Sequence, residues 1–90
     1  MGVIIEHVYY LYVLKGSSNP SYYIGCTDDL RARFASHNRG GNTSTRRGRP
    51  WQLIYYEAFL RMDCAQQRER ILKQRGKAWR ELKKRIGEVV

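Results

Sequence analysis

The sequence predicts an α+β domain, a small three-stranded antiparallel or mixed sheet flanked by helices in the order strand, strand, helix, strand, helix, helix. Three observations carry this. Runs rich in β-branched and aromatic residues occupy positions 8–14, 22–25 and 51–60, apolar residues elsewhere recur at helical spacing, and ninety residues hold one sheet over one core with no room for a second domain.

The first run, VYYLYVL at 8–14, is continuous rather than alternating and reads as a strand covered on both faces. Period 2 puts Tyr10 and Tyr12 on one of those faces. The following KGSSNPS has turn composition, and YYIG at 22–25 resumes strand character, so the two strands form a hairpin with a loop longer than two residues. Thr27 is placed to cap a helix from position 28 to about 38, with Asp28 and Asp29 complementing its positive end. Residues 39–50, RGGNTSTRRGRP, show no apolar period and hold four arginines, three glycines and a proline; they predict a mobile cationic loop that clamps phosphate. WQLIYYEAFL at 51–60 is the third strand. Asp63 is placed to cap a helix running to about 75 with Met62, Ala65, Glu69 and Leu72 on one stripe, and Gly76 to end it. A last helix from about 77 to 86 carries Trp79, Leu82 and Ile86 on one side and Lys83, Lys84 and Arg85 in its final turns.

A hydrophobic content of 42%, with seven Tyr, two Trp and two Phe, is enough for a packed core and argues against disorder. The fold is compatible with a monomer or a dimer. The formal charge of +9 calls for an anionic partner, and nucleic acid is the leading one. Of 17 basic residues only Lys15 precedes position 31, so positive potential gathers on the later helices and loops. Cys26 and Cys64 form neither a CxxC pair nor a four-ligand zinc framework, and no zinc is expected. Cys64 is expected to be a small buried apolar side chain. The start MGVIIEHV lacks the basic and long apolar regions of a signal peptide, and no stretch is long enough to span a membrane, so a reducing cytoplasm is expected.

Tyr12 and Tyr23 lie on neighbouring strands, and the helix after them offers Arg33 and His37, ten and fourteen residues beyond Tyr23. Tyr10-Leu11-Tyr12 and Tyr23-Ile24-Gly25 resemble the GIY and YIG elements of the GIY-YIG endonucleases, with Arg33 and His37 at the matching spacing. The similarity continues through LIYYE at 53–57 and the helix holding Arg68-Glu69-Arg70. It is strongest to the small bacterial stand-alone members known as URI-domain predicted endonucleases. The chain departs from the pattern in having Tyr10 in place of the first glycine and Cys26 where some members have a lysine. Lys15 or one of Arg46, Arg47 and Arg49 would then supply that charge and contact the nucleic acid. Thr45 and Arg47 are similar to residues in the same loop of relatives.

Helix geometry selects among the cations independently. Successive residues turn by about 100°; with Leu30 and Phe34 facing the core, Arg33 and His37 lie beside that direction and Arg31 points to solvent. Arg33 can then reach over the sheet toward the tyrosines and hold a phosphate oxygen, or simply pair with Asp29 or His37 on the surface. Glu69 falls inside the apolar stripe of its helix, where a carboxylate needs a partner cation or a metal; an ordinary i,i+4 pair with Lys73 is the alternative.

The resemblance implies a metal-dependent phosphodiester hydrolase in which Tyr12 removes the proton of the attacking water, His37 relays it onward, Tyr23 orients water or phosphate, Arg33 stabilises charge on phosphorus, and Glu69 holds one Mg²⁺ or Mn²⁺ that steadies the leaving 3′ oxygen. The two phenols could exchange roles. DNA repair or recombination is the setting such an enzyme would serve. The alternative function is a catalytically weak or inactive nucleic-acid-binding module on the same scaffold, and a third is a ribosome-associated or protein-binding adaptor. With no appended reader domain, nucleic-acid structure or single-strandedness is a more natural cue than base sequence.

Overall fold

The computed structural model describes residues 7–17 and 21–88. The leading MGVIIE and the middle of the first turn, residues 18–20, lie outside the described residues. Strands β1 (Tyr9–Gly16), β2 (Tyr22–Thr27) and β3 (Trp51–Phe59) form one antiparallel sheet in the order β2-β1-β3. Helices α1 (Leu30–Arg39), α2 (Met62–Lys73) and α3 (Lys77–Arg85) complete the expected order.

β1 is central, which explains its unbroken apolar run: side chains on both faces are buried. Leu11 and Val13 point one way, into a cluster with Ile24, Leu72, Trp79 and Leu82 from β2, α2 and α3. Tyr12 and Leu14 point the other way and meet Trp51, Tyr23, Leu30 and Phe34. The sheet therefore separates two layers, α1 on one side and α2 with α3 on the other. Tyr12 stands opposite Gly25 on β2 and Tyr56 on β3.

Several element ends differ from the sequence expectation. α1 begins at Leu30 with Asp29 as its cap, the Asp29 carboxylate accepting from the Ala32 amide. Thr27, the expected cap, instead accepts from the Asp29 amide and so shapes the turn before the helix. α2 starts after Arg61 with no side-chain cap; Asp63 sits in its first turn and pairs with Arg61 at 2.6 Å. Gly76 does not close α2. Arg75 takes the left-handed conformation, φ 58°, and is held there by stacking on Trp79 at 4.8 Å and by donating to the Tyr22 carbonyl, while Gly76 becomes the cap of α3. Cys64 is exposed, contrary to expectation, because α2 buries the side holding Ala65 and Leu72.

The segment between α1 and β3 is not a structureless loop. Thr43–Gly48 forms a 3₁₀ turn capped by Asn42, whose carboxamide oxygen accepts from the Ser44 amide. Thr45 and Gly48 are buried within it. Gly48 is required by a close approach: a Cβ there would lie 2.2 Å from the Trp51 ring. A position that must stay glycine to clear an indole adds no apolar period to read, which is why the sequence signals a loop.

Candidate active site at the edge of the sheet

β1 delivers Tyr12 to the α1 layer, and the phenol leans across β2 directly over Gly25. A Cβ on Gly25 would lie 2.7 Å from the Tyr12 hydroxyl and 2.8 Å from Cζ, so the cross-strand partner of Tyr12 must be glycine. The glycine of the YIG-like element is thus a space left for the tyrosine of the GIY-like one.

The Tyr12 hydroxyl lies 2.8 Å from His37 Nε2, and both side chains have no accessible surface. The Tyr23 ring packs 4.9 Å from the His37 ring and 6.1 Å from that of Tyr12. Arg33, exposed one turn before His37, brings its guanidinium close enough to favour the ionised form of the Tyr12 hydroxyl. As helix phase predicts, Leu30 and Phe34 pack against the core cluster while Arg31 is exposed; His37 is buried beside them. Burial holds the Tyr12 phenol well above the usual tyrosine range; the neighbouring Tyr23 adds to the rise, and Arg33 opposes it. Burial, aided by the Arg33 charge, pushes His37 below the usual histidine range, so it is neutral at pH 7.

Glu69 comes from the opposite layer. It lies beside Cys26 at the β2 edge, and its charge helps raise the Tyr12 phenol above its ordinary range. Its carboxylate, 21% exposed, is paired with Lys73 at 2.7 Å, the i,i+4 bridge anticipated for this helix. Burial, followed by the neighbouring Glu69, pushes the Cys26 thiol up to about 12, so it is a neutral group beside the carboxylate. The cation that reaches Cys26 is Lys73. Lys15 does not come to this place: its ammonium is bound by Glu88 at 3.0 Å.

Two of the three loop arginines help shape their own turn. Arg46 donates from Nε to the Gly40 carbonyl at 3.2 Å and Arg49 to the Arg46 carbonyl at 2.9 Å, while the Arg46, Arg47 and Arg49 side chains remain solvent-exposed beside the His37 end of α1. Sequence reasoning missed the residues that hold this turn against the site. Thr45 Oγ1 lies 2.7 Å from His37 Nδ1, the Trp51 indole donates to the Thr45 carbonyl at 2.8 Å, and the Asn38 carboxamide bonds both the amide (2.6 Å) and the carbonyl (3.1 Å) of Trp51. In a stretch reading NTST, only its similarity to a residue in the same loop of relatives separates Thr45 from its neighbours, and that similarity names no partner for it.

No three His, Cys, Asp or Glu side chains among the described residues cluster as a metal cage. A single carboxylate with waters and substrate phosphate oxygens is nevertheless a donor set that Mg²⁺ accepts. Glu69, part-exposed at the sheet edge, fits that role once Lys73 yields it. Among the described residues, no helix is long and apolar enough to cross a membrane.

The sheet edge thus brings together a buried phenol bonded to a histidine, an arginine near the phenol oxygen and a carboxylate from the opposite layer. Residues 8–87 match the model of the GIY-YIG catalytic domain, so the chain belongs to that family, within a nuclease superfamily. It is 40% identical over 78 residues to a UPF0213 protein of Streptococcus pneumoniae serotype 4, an alignment covering 86% of this chain and 78% of the relative. It is 41% identical over 80 residues to a UPF0213 protein of Bacillus pumilus, covering 88% and 76%, and 40% identical over 73 residues to one of Lactiplantibacillus plantarum, covering 78% and 71%. No solved structure matches with significance.

Proposed function

We propose that the chain is a metal-dependent endonuclease that hydrolyses phosphodiester bonds in DNA. The observation that carries this is the Tyr12 hydroxyl held between His37 Nε2 at 2.8 Å and the Arg33 guanidinium. Tyrosine is a weak base unless its proton has somewhere to go; His37 is neutral and in contact, so it can take that proton as Tyr12 takes one from water. Arg33 then faces both the phenolate and the phosphate, where a fork of donors suits the developing negative charge. Tyr23, beside His37, orients water or phosphate. Glu69 would hold a divalent ion, Mg²⁺ or Mn²⁺, which when bound supplies Lewis-acid stabilisation of the leaving 3′ oxygen. Water attack in line with that oxygen yields 5′-phosphate and 3′-hydroxyl ends.

The net charge of +9 supports a polyanionic substrate, with Arg46, Arg47 and Arg49 beside the site as the phosphate-contacting residues. The Glu69–Lys73 ion pair favours a second reading, a nucleic-acid-binding module without useful catalysis. The test that separates the two is cleavage of end-labelled single-stranded, duplex and branched DNA and of RNA, with Mg²⁺, Mn²⁺ or EDTA. Cleavage that needs metal and disappears in Glu69→Ala supports the enzyme. Intact substrates throughout, with the wild type binding them as tightly as Glu69→Ala, establish the binding module instead.

A further inference from the structure

Thr45 is 2% exposed, and its hydroxyl has two neighbours, His37 Nδ1 at 2.7 Å and the Asn42 carbonyl at 3.3 Å. A hydroxyl owns one proton, and a carbonyl can only accept. Both contacts are hydrogen bonds only if Thr45 donates to Asn42 and accepts from a protonated His37 Nδ1. Protonated at Nδ1 and neutral, the ring leaves Nε2 bare, so the 2.8 Å contact there is a hydrogen bond donated by the Tyr12 hydroxyl.

We propose that Thr45 is a positioning residue that holds His37 as the Nδ1–H tautomer, so that bare Nε2 faces the Tyr12 hydroxyl and can receive its proton. The Tyr12 O–H bond breaks as the Nε2–H bond forms; the phenolate oxygen is then free to take a proton from water, and Nδ1–H of the resulting imidazolium stays bonded to Thr45. The opposite tautomer would point a hydrogen from Nε2 at Tyr12 and remove the histidine acceptor of the phenol proton. Thr45 is itself fixed by the Trp51 indole on its carbonyl, and Trp51 by Asn38, which gives the 3₁₀ turn a purpose that its sequence does not announce.

The tautomer assignment stands on the hydrogen bonds alone; its catalytic consequence rests on the endonuclease reading. The test is a long-range ¹H–¹⁵N correlation spectrum of His37 at pH 7 in the wild type, Thr45→Val and Thr45→Ser, beside cleavage assays of the same proteins. We expect a protonated Nδ1 and a bare Nε2 in the wild type, loss of that pattern in Thr45→Val, and its return in Thr45→Ser. kcat should fall in Thr45→Val by on the order of 10²-fold or more, as a mis-set catalytic histidine does elsewhere, with KM little changed and recovery in Thr45→Ser. A protonated Nε2 in the wild type overturns the proposal even if Thr45→Val does not fold, as does an unaltered spectrum in a folded Thr45→Val. The expected spectra without cleavage by any of the three proteins would uphold the role of Thr45 and sink the endonuclease reading.

Discussion

Replacing Gly25 with alanine tests whether the position of the Tyr12 phenol matters. The new methyl would sit 2.7 Å from the hydroxyl oxygen, 2.8 Å from Cζ and 3.0 Å from Tyr23 Cε2. Carbon atoms pack comfortably at about 3.5–4.0 Å, so the Tyr12 ring must retreat by about 0.7 Å or more. The ring is fully buried and has nowhere to go without disturbing its neighbours. Overpacking of this kind destabilises by about 1–3 kcal/mol, and a displacement approaching 1 Å at a catalytic group can lower the rate by on the order of 10². The bond most exposed to the shift is the 2.8 Å contact with His37. We therefore expect Gly25→Ala to fold with a reduced urea midpoint and to lose far more activity than its folded fraction explains, while DNA affinity is retained. Steady-state kinetics beside urea unfolding measures both. A variant that is destabilised as expected yet turns over at the wild-type rate per folded molecule would refute the link between the glycine and the site.

Two further predictions concern the shell around His37. Asn38→Ala removes both hydrogen bonds that anchor Trp51 at the start of β3; at about 1 kcal/mol each, chemical denaturation should show a loss of about 2 kcal/mol, and a loss within error of zero would mean that the clamp is redundant. The second is acid lability. His37 has a folded-state pKa lowered by burial, so between its unfolded value near 6.5 and that lower value the unfolded chain binds a proton that the folded chain does not. Stability from this group is full above that window and falls as pH drops through it, by at most about 1.4 kcal/mol per pH unit. Urea midpoints at neutral and mildly acidic pH should show a shallower acid loss in His37→Gln than in the wild type; equal slopes would exclude His37 as the source.

The layers of this fold were legible because burial imposes periodicity. β1 is covered on both faces and reads as an unbroken apolar run, and α3 sets Trp79 and Leu82 toward the core with charge on its other side. The same periodicity sets Arg33 and His37 beside the core-facing direction of α1 and Glu69 within the apolar stripe of α2, while the choice of Tyr12 comes from the family resemblance. Helix ends were less legible because competing hydrogen bonds settle them. Thr27 could have capped α1 but is engaged by the Asp29 amide, and Arg75 adopts a glycine-like conformation because Trp79 and the Tyr22 carbonyl hold its guanidinium. Tertiary contacts of that kind leave no local trace. Thr45 stood out only by its similarity to a loop residue of relatives, and its role was hidden for a related reason: that role comes from meeting His37 across a turn. Lys73 stood in plain view as the i+4 partner of Glu69, yet only the fold shows that it is also the cation beside Cys26.

The most direct test of the account is the removal of one oxygen atom. Tyr12→Phe keeps the ring that fills the space over Gly25 and deletes the hydroxyl shared by His37 and Arg33. With Mg²⁺ or Mn²⁺ and end-labelled DNA under single-turnover conditions, the wild type should release fragments with 5′-phosphate and 3′-hydroxyl ends. Tyr12→Phe should bind the same DNA equally well and cleave it at least about 10²-fold more slowly, the usual contribution of a positioned base. Cleavage by Tyr12→Phe at the wild-type rate would contradict the assignment of Tyr12 as the general base.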